Sequence, residues 1–242
     1  MTYLELCQRV HLLTRIGSRG NTAKPGTVPT AVTGQVDELA EIVAWVRDEW
    51  IAFQLERQWG FLQTTGTLVF PASTTTVTPT ATLTTYAEWM PFIEGLQIGR
   101  RYALCYLTSA GQTAEQKIYF EPYEDFRGYR DRAVVATGRP QYFTMAPNRD
   151  WIVYPTPDDS YTIRFDYLVA PQIFSANSDD PKNYPTSNKG LPAEHHEVIA
   201  WRAVKRYAET RSDGALLVTA ERRIRQQSLP IYNRFLPSPR LW

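Results

Sequence analysis

Tyr161-Thr-Ile-Arg-Phe-Asp-Tyr-Leu-Val169 alternates with a period of two, setting Tyr161, Ile163, Phe165, Tyr167 and Val169 on one side and Thr162, Arg164 and Asp166 on the other. Successive strand residues face opposite sides of a sheet, so the stretch predicts a half-buried antiparallel strand. Shorter runs at 101–107, 117–120, 141–145 and 151–154 also read as strands, and threonine with other β-branched residues dominates 64–85. Pro147-Asn-Arg-Asp150 and Pro155-Thr-Pro-Asp-Asp-Ser160 supply turns between neighbouring runs. A local meander is the expected result.

Outward from these strands the period becomes helical. Near the start, Tyr3, Leu6, Val10 and Leu13 recur on one face, and Thr2 with Glu5 forms a capping-box pattern. Leu39, Val43, Val46, Trp50 and Phe53 make the strongest stripe, with Asp37 and Glu38 at its positive end. Between these two helices, 17–34 is rich in Gly, Pro, Thr and Ser and reads as a surface loop able to carry contacts. After the polar stretch 171–192, Val198, Trp201, Val204 and Ala208 mark a third helix, and Leu217, Ala220 and Ile224 a fourth. The expected class is α+β: a four-helix bundle formed by both chain ends, an inserted antiparallel β domain and an extended C-terminal arm. Its parts are 1–57, 58–175, 176–229 and 230–242.

The arm is expected because 229–242 contains three prolines, which a helix does not tolerate in its interior, together with Tyr232, Phe235, Leu236, Leu241 and Trp242. Apolar anchors on a stiff extended segment suit docking to another chain. Folding back onto the bundle is the alternative.

Composition bounds the function classes. The 242 residues are 43% hydrophobic and 13% aromatic, enough to build a core, and the formal charge is +1. Such balance argues against a general nucleic-acid binder. Charge is nevertheless uneven: from Glu194 onward there are nine Lys or Arg against five Asp or Glu. Within that part, Arg222, Arg223 and Arg225 are candidates for contact with an acidic partner or with DNA in a channel. Cys7 and Cys105 fit neither a zinc site nor a disulfide scaffold and read as small buried hydrophobes. No basic start followed by an apolar block precedes the first helix, and no apolar run nears the length of a membrane span, so a cytosolic origin is expected.

Catalytic patterns are sparse. His195-His-Glu197 lacks the second histidine of H-E-x-x-H, since the position four after His196 is Ala200. His11 stands apart from any nucleophile. The carboxylate pairs Glu124-Asp125, Asp158-Asp159 and Asp179-Asp180 lie in turns or charged patches, without a calcium-loop spacing. Neither a catalytic residue, a metal nor a cofactor is expected.

Several stretches together resemble the head-to-tail adaptor proteins of tailed bacteriophages. Tyr3-Leu-Glu-Leu-Cys-Gln-Arg9 and Thr33-Gly-Gln-Val-Asp-Glu-Leu-Ala-Glu-Ile-Val-Ala-Trp-Val-Arg-Asp-Glu-Trp50 are similar to that family's first two helices. Tyr123-Glu-Asp-Phe-Arg127, Thr137-Gly-Arg-Pro-Gln-Tyr142, Trp151-Ile-Val-Tyr-Pro-Thr-Pro-Asp158 and Tyr161-Thr-Ile-Arg-Phe-Asp-Tyr167 resemble its middle segments in order and spacing. Leu191-Pro-Ala-Glu-His-His196 is similar to the start of its third helix. The resemblance implies a virion structural protein and not an enzyme: a dodecameric ring in the neck between capsid and tail, assembled in the host cytoplasm. It implies contact with the portal protein, with a tail or nozzle protein, with copies of itself and, weakly, with packaged double-stranded DNA, and no membrane. A carbohydrate-binding or hydrolytic tail component is the alternative, motivated by the aromatic strands and the carboxylate pairs. A DNA-binding regulator is disfavoured by the balanced charge.

Overall fold

A computed structural model describes residues 1–17, 28–94, 99–130, 136–185 and 189–236. Along the chain run α1 (Tyr3–Gly17), α2 (Asp37–Glu56), β1 (Gln63–Phe70), β2 (Thr76–Val77), α3 (Pro79–Thr82), β3 (Tyr86–Met90), β4 (Phe92–Glu94) and β5 (Arg100–Leu107). They are followed by β6 (Gln116–Phe120), α4 (Tyr123–Arg130), β7 (Tyr142–Met145), β8 (Trp151–Tyr154), β9 (Tyr161–Val169), α5 (Glu197–Arg211) and α6 (Gly214–Phe235). Two compact units result. Met1–Leu62 joins the described residues from Pro171 onward, and Gln63–Ala170 forms the other unit.

In the first unit, α5 packs against α1, α2 and α6. Its central place explains why Val198, Ile199, Ala200, Trp201, Ala203, Val204 and Ala208 are all buried. The capping box forms at the start of α1: the Thr2 N–H donates to Glu5 Oε2 at 2.8 Å and the Glu5 N–H to Thr2 Oγ1 at 3.4 Å. A chain of stacked rings then runs through the core. Tyr3 lies 4.7 Å from Phe174, Phe174 5.8 Å from Trp50, Trp50 6.0 Å from Phe53, and Phe53 4.6 Å from Trp59. Offset stacks of this kind add to the burial of apolar area.

The second unit is a nine-stranded sheet in the order β1-β9-β5-β6-β7-β8-β2, with β3 also pairing β9 and β4 also pairing β5. Its two end strands, β1 and β2, follow one another in sequence, so the path nearly closes on itself. β9 is the hub. One of its edges carries β1 along Gln63–Phe70, and it also pairs with β5 through 161–164 and with β3 through 166–169. Inside, Trp151 lies 4.7 Å from Phe143 and 4.5 Å from Phe165, and Trp89 5.1 Å from Phe143.

These observations correct the expected class. The protein is a mixed α/β fold with six helices and a large, nearly closed nine-stranded sheet among the described residues, not a four-helix bundle carrying a small antiparallel insertion. The sheet is mixed, because β6 and β7 pair in parallel. Nor is it a local meander: β9 leaves its sequence neighbour β8 and inserts between β1 and β5, where strands on both edges take up its backbone hydrogen-bonding groups and its side chains are largely buried. The extended arm is also corrected over its described part. α6 continues through Pro230 to Phe235, held by Ile231, which is fully buried, and by the Tyr232 ring against Trp59. Tertiary packing there outweighs the hydrogen bond that proline forfeits, a penalty of about 3 kcal/mol in an isolated helix.

Candidate interaction surface

α6 presents two unlike faces. Leu216, Ala220, Ser228 and Ile231 are buried against the unit. On the opposite side, Val218, Arg222, Arg225 and Leu229 follow at intervals of four, three and four residues, which keeps them within about 60° of one another at 100° per residue. All four are exposed, Val218 by 67% and Leu229 by 62%. The stripe thus sets two exposed apolar side chains beside two cations on the side of α6 turned away from the core.

The ion pairs sharpen this reading. Arg202 is held by Glu49 at 3.2 Å and Glu56 at 2.7 Å, and Arg206 by Glu49 at 3.6 Å and Asp48 at 3.8 Å. Lys205 meets Glu221 at 3.2 Å, Arg211 meets Glu41 at 3.7 Å, and Arg234 meets Glu194 at 3.1 Å. Most of the basic excess is therefore spent on the acidic helix α2 and on neighbouring carboxylates. Arg222, Arg223 and Arg225 make no ion pair among the described residues and are exposed. Arg223 points about 100° away from Arg222, so Arg222 and Arg225 form the pair on the stripe.

Beside the stripe, Lys205, Glu221, Ile224, Arg225, Ser228, Leu229 and Tyr232 line a groove of about 560 Å³. A smaller hollow of about 260 Å³, with Lys205 and Ile224 in common, lies among the charged pairs of α2 and α5. Tyr232, at the groove's lining, is fixed from within the unit. Its ring stacks on Trp59 at 5.7 Å and its hydroxyl donates to Glu56 at 3.0 Å.

The residues expected to dock are thus divided. Tyr232, Phe235 and Leu236 are half-buried in the helical unit, with Phe235 edge-on to Phe61 at 5.7 Å, while Leu241 and Trp242 lie outside the described residues. Val218 and Leu229 escaped sequence reasoning. Their signal was present as apolar residues on the polar side of the α6 stripe, visible only once the core face had been assigned.

Elsewhere the polar candidates have structural partners. Glu124 pairs with Arg127 at 3.8 Å, Asp158 accepts from the Tyr161 hydroxyl at 2.9 Å, and Asp159 accepts from the Ser160 N–H at 2.6 Å. Asp179 accepts from the N–H groups of Ser175 and Ala176, and Asp180 from that of Lys182. His196 is fully buried, with Nε2 at 2.7 Å from the Leu191 carbonyl and Nδ1 at 2.7 Å from the Met1 amine. Burial depresses its pKa, and so does the charge of that amine. Among the described residues, no group of three or more His, Cys, Asp or Glu could hold a metal ion, and no helix is long and apolar enough to cross a membrane.

By fold and surface this is a two-unit α/β protein equipped for contact with other macromolecules. The SU10 adaptor protein family matches residues 1–234, and the chain belongs to that family. It is a phage adaptor protein, a structural component of the virion that meets other phage proteins of head or tail. No curated protein matches the chain.

Proposed function

We propose that the protein is the head-to-tail adaptor ring, a homo-oligomer, dodecameric as the resemblance implies, that binds beneath the portal protein and presents a docking surface to a tail or nozzle protein. Membership of the adaptor family is the observation that carries this reading. The exposed α6 stripe supports it, because an apolar pair flanking two unpaired arginines suits a partner surface that is apolar and acidic. In this reading Val218, Arg222, Arg225 and Leu229 meet the portal or a neighbouring subunit, Arg223 faces an acidic partner or the channel, and Tyr232, Phe235, Leu236, Leu241 and Trp242 continue the contact. The role is structural and needs neither catalysis nor a cofactor. DNA passes through the channel with weak contact only, since Arg222, Arg223 and Arg225 are too few for tight binding at physiological salt.

Two changes test the reading. The Arg222→Glu, Arg225→Glu double variant reverses two exposed charges, and a chain ending at Leu236 removes Leu241 and Trp242 while keeping buried Ile231. Native mass spectrometry with purified portal rings should show full-length protein joining as a ring, and at least a tenfold loss of affinity in the charge-reversed variant. Undiminished portal binding by both variants would sink the assignment.

A further inference from the structure

The groove beside the α6 stripe suits an occupant that is apolar at its tip and acidic at its edge. Ile224 and Leu229 line it, and Arg225, with Arg222 one turn away on the stripe, is exposed and makes no ion pair among the described residues. Lys205 and Glu221, also in the lining, meet each other at 3.2 Å, so the two arginines set the charge of the edge.

The chain carries such a tip itself. Among the exposed large apolar residues that are described, Val36, Leu55 and Ile93 each stand next to a carboxylate in the sequence. Glu56, beside Leu55, is held by Arg202 at 2.7 Å, and Glu94, beside Ile93, is held by Lys117. Val36 differs. It is 70% exposed and is followed by exposed Asp37 and Glu38, neither of which makes an ion pair among the described residues. Glu38 meets the Tyr207 hydroxyl, a neutral donor that leaves its charge uncompensated. Val36 also occupies the cap position of α2 without a side-chain hydrogen bond, where Ser, Thr, Asp or Asn would satisfy a backbone N–H. An exposed valine at that position is a choice that the fold of a single copy does not explain.

We propose that the α6 groove receives Val36 of a second copy of this chain, whose Asp37 and Glu38 meet Arg225 and Arg222. Both surfaces belong to the helical unit, on α2 and α6, which pack against α5. Because the two surfaces differ, the contact is heterologous: each copy offers its groove to one neighbour and its tip to the next, which builds a ring when the rotation closes. Complementarity of charge and of apolar exposure selects a second copy. DNA phosphates would meet the arginines but leave Val36, Val218 and Leu229 uncovered. The inference rests on the homo-oligomeric part of the adaptor reading and assigns α6 to the neighbouring subunit and not to the portal.

Exchange of charge between two variants tests it. Arg222→Glu with Arg225→Glu makes the groove edge acidic, and Asp37→Arg with Glu38→Arg makes the tip basic; all four side chains are exposed, so both variants should melt like the unaltered chain. Native mass spectrometry reads assembly of each protein, free and on purified portal rings. Each variant alone should assemble about tenfold less than the unaltered chain, and a 1:1 mixture should recover to within about twofold, with equal numbers of the two variants in every assembly. A mixture that assembles no better than its separate components overturns the inference, as does full assembly by either variant alone. Val36→Ser provides an arm without charge reversal: it improves the cap while removing the tip, so melting temperature should hold or rise while assembly falls about fivefold. Undiminished assembly of Val36→Ser overturns the inference too. Portal binding is scored separately. If the unaltered chain self-assembles by this exchange but does not join portal rings, the adaptor reading fails and the contact stands; if it joins portal rings regardless of the exchange, the contact alone fails. No assembly by the unaltered chain, free or on portal, overturns both.

Discussion

Trp59 shows how much one residue contributes to the helical unit. It is fully buried, its indole N–H donates to the Phe53 carbonyl at 2.7 Å, and its ring stacks on Phe53, Phe61 and Tyr232. Trp59→Ala should destabilise the protein by about 3–5 kcal/mol, read from urea denaturation. The cysteines give a chemical test of burial. Desolvation pushes the Cys7 thiol up to about 12 and Cys105 up to about 11, so at pH 8 neither supplies appreciable thiolate. Both should stay silent to Ellman's reagent in the native protein and react on unfolding. His196 works in the opposite pH range. Its folded pKa is depressed, first by burial, so below about 6.5 the unfolded chain binds the proton that the folded chain resists. Stability should therefore fall as pH drops from 7 toward 5.5, by at most about 1.4 kcal/mol per pH unit for one proton. His196→Gln should flatten that slope in urea titrations at the two pH values.

Among the elements, α6 depends on its ends as well as its buried stripe. The Asp213 side chain accepts from the Leu216 N–H at 3.0 Å, so Asp213→Ala should lower thermal stability by about 1 kcal/mol, measurable by calorimetry. In the sheet, a Cβ added at Gly66 would come within 2.8 Å of the Tyr167 ring and 2.9 Å of the Leu83 side chain. Gly66→Ala should destabilise by about 1–3 kcal/mol as those side chains shift. Elements differed in how legible they were. β9 was readable because its inner positions are all aromatic or β-branched and its outer ones include Thr162, Arg164 and Asp166. β3 and β4 were not, since Tyr86–Met90 and Phe92–Glu94 are short runs whose strand state depends on pairing with β9 and β5. Pro230 misled for a related reason: its local preference is against helix, but the buried neighbours Ser228 and Ile231 keep α6 continuous.

On the scale of the molecule, a net charge of +1 conceals a redistribution that only folding displays. Arg202, Arg206 and Arg211 are matched by carboxylates of α2, leaving Arg222, Arg223 and Arg225 as the exposed unpaired set among the C-terminal cations that are described. Free protein should accordingly bind duplex DNA weakly at physiological salt, while portal binding weakens as salt rises. A nanomolar dissociation constant for DNA in a filter-binding assay at physiological salt would count against the adaptor reading.

The sequence by itself determined which segments are helical or extended wherever hydrophobic periodicity is long, as in α2 and β9, and it marked the arginines of α6, because period and charge are local properties. Tertiary structure alone decided the strand order, the near closure of the sheet and the continuation of α6 past Pro230. Each of these depends on register and packing between segments far apart in the chain, and a pattern read along one segment carries no information about its neighbour across the sheet.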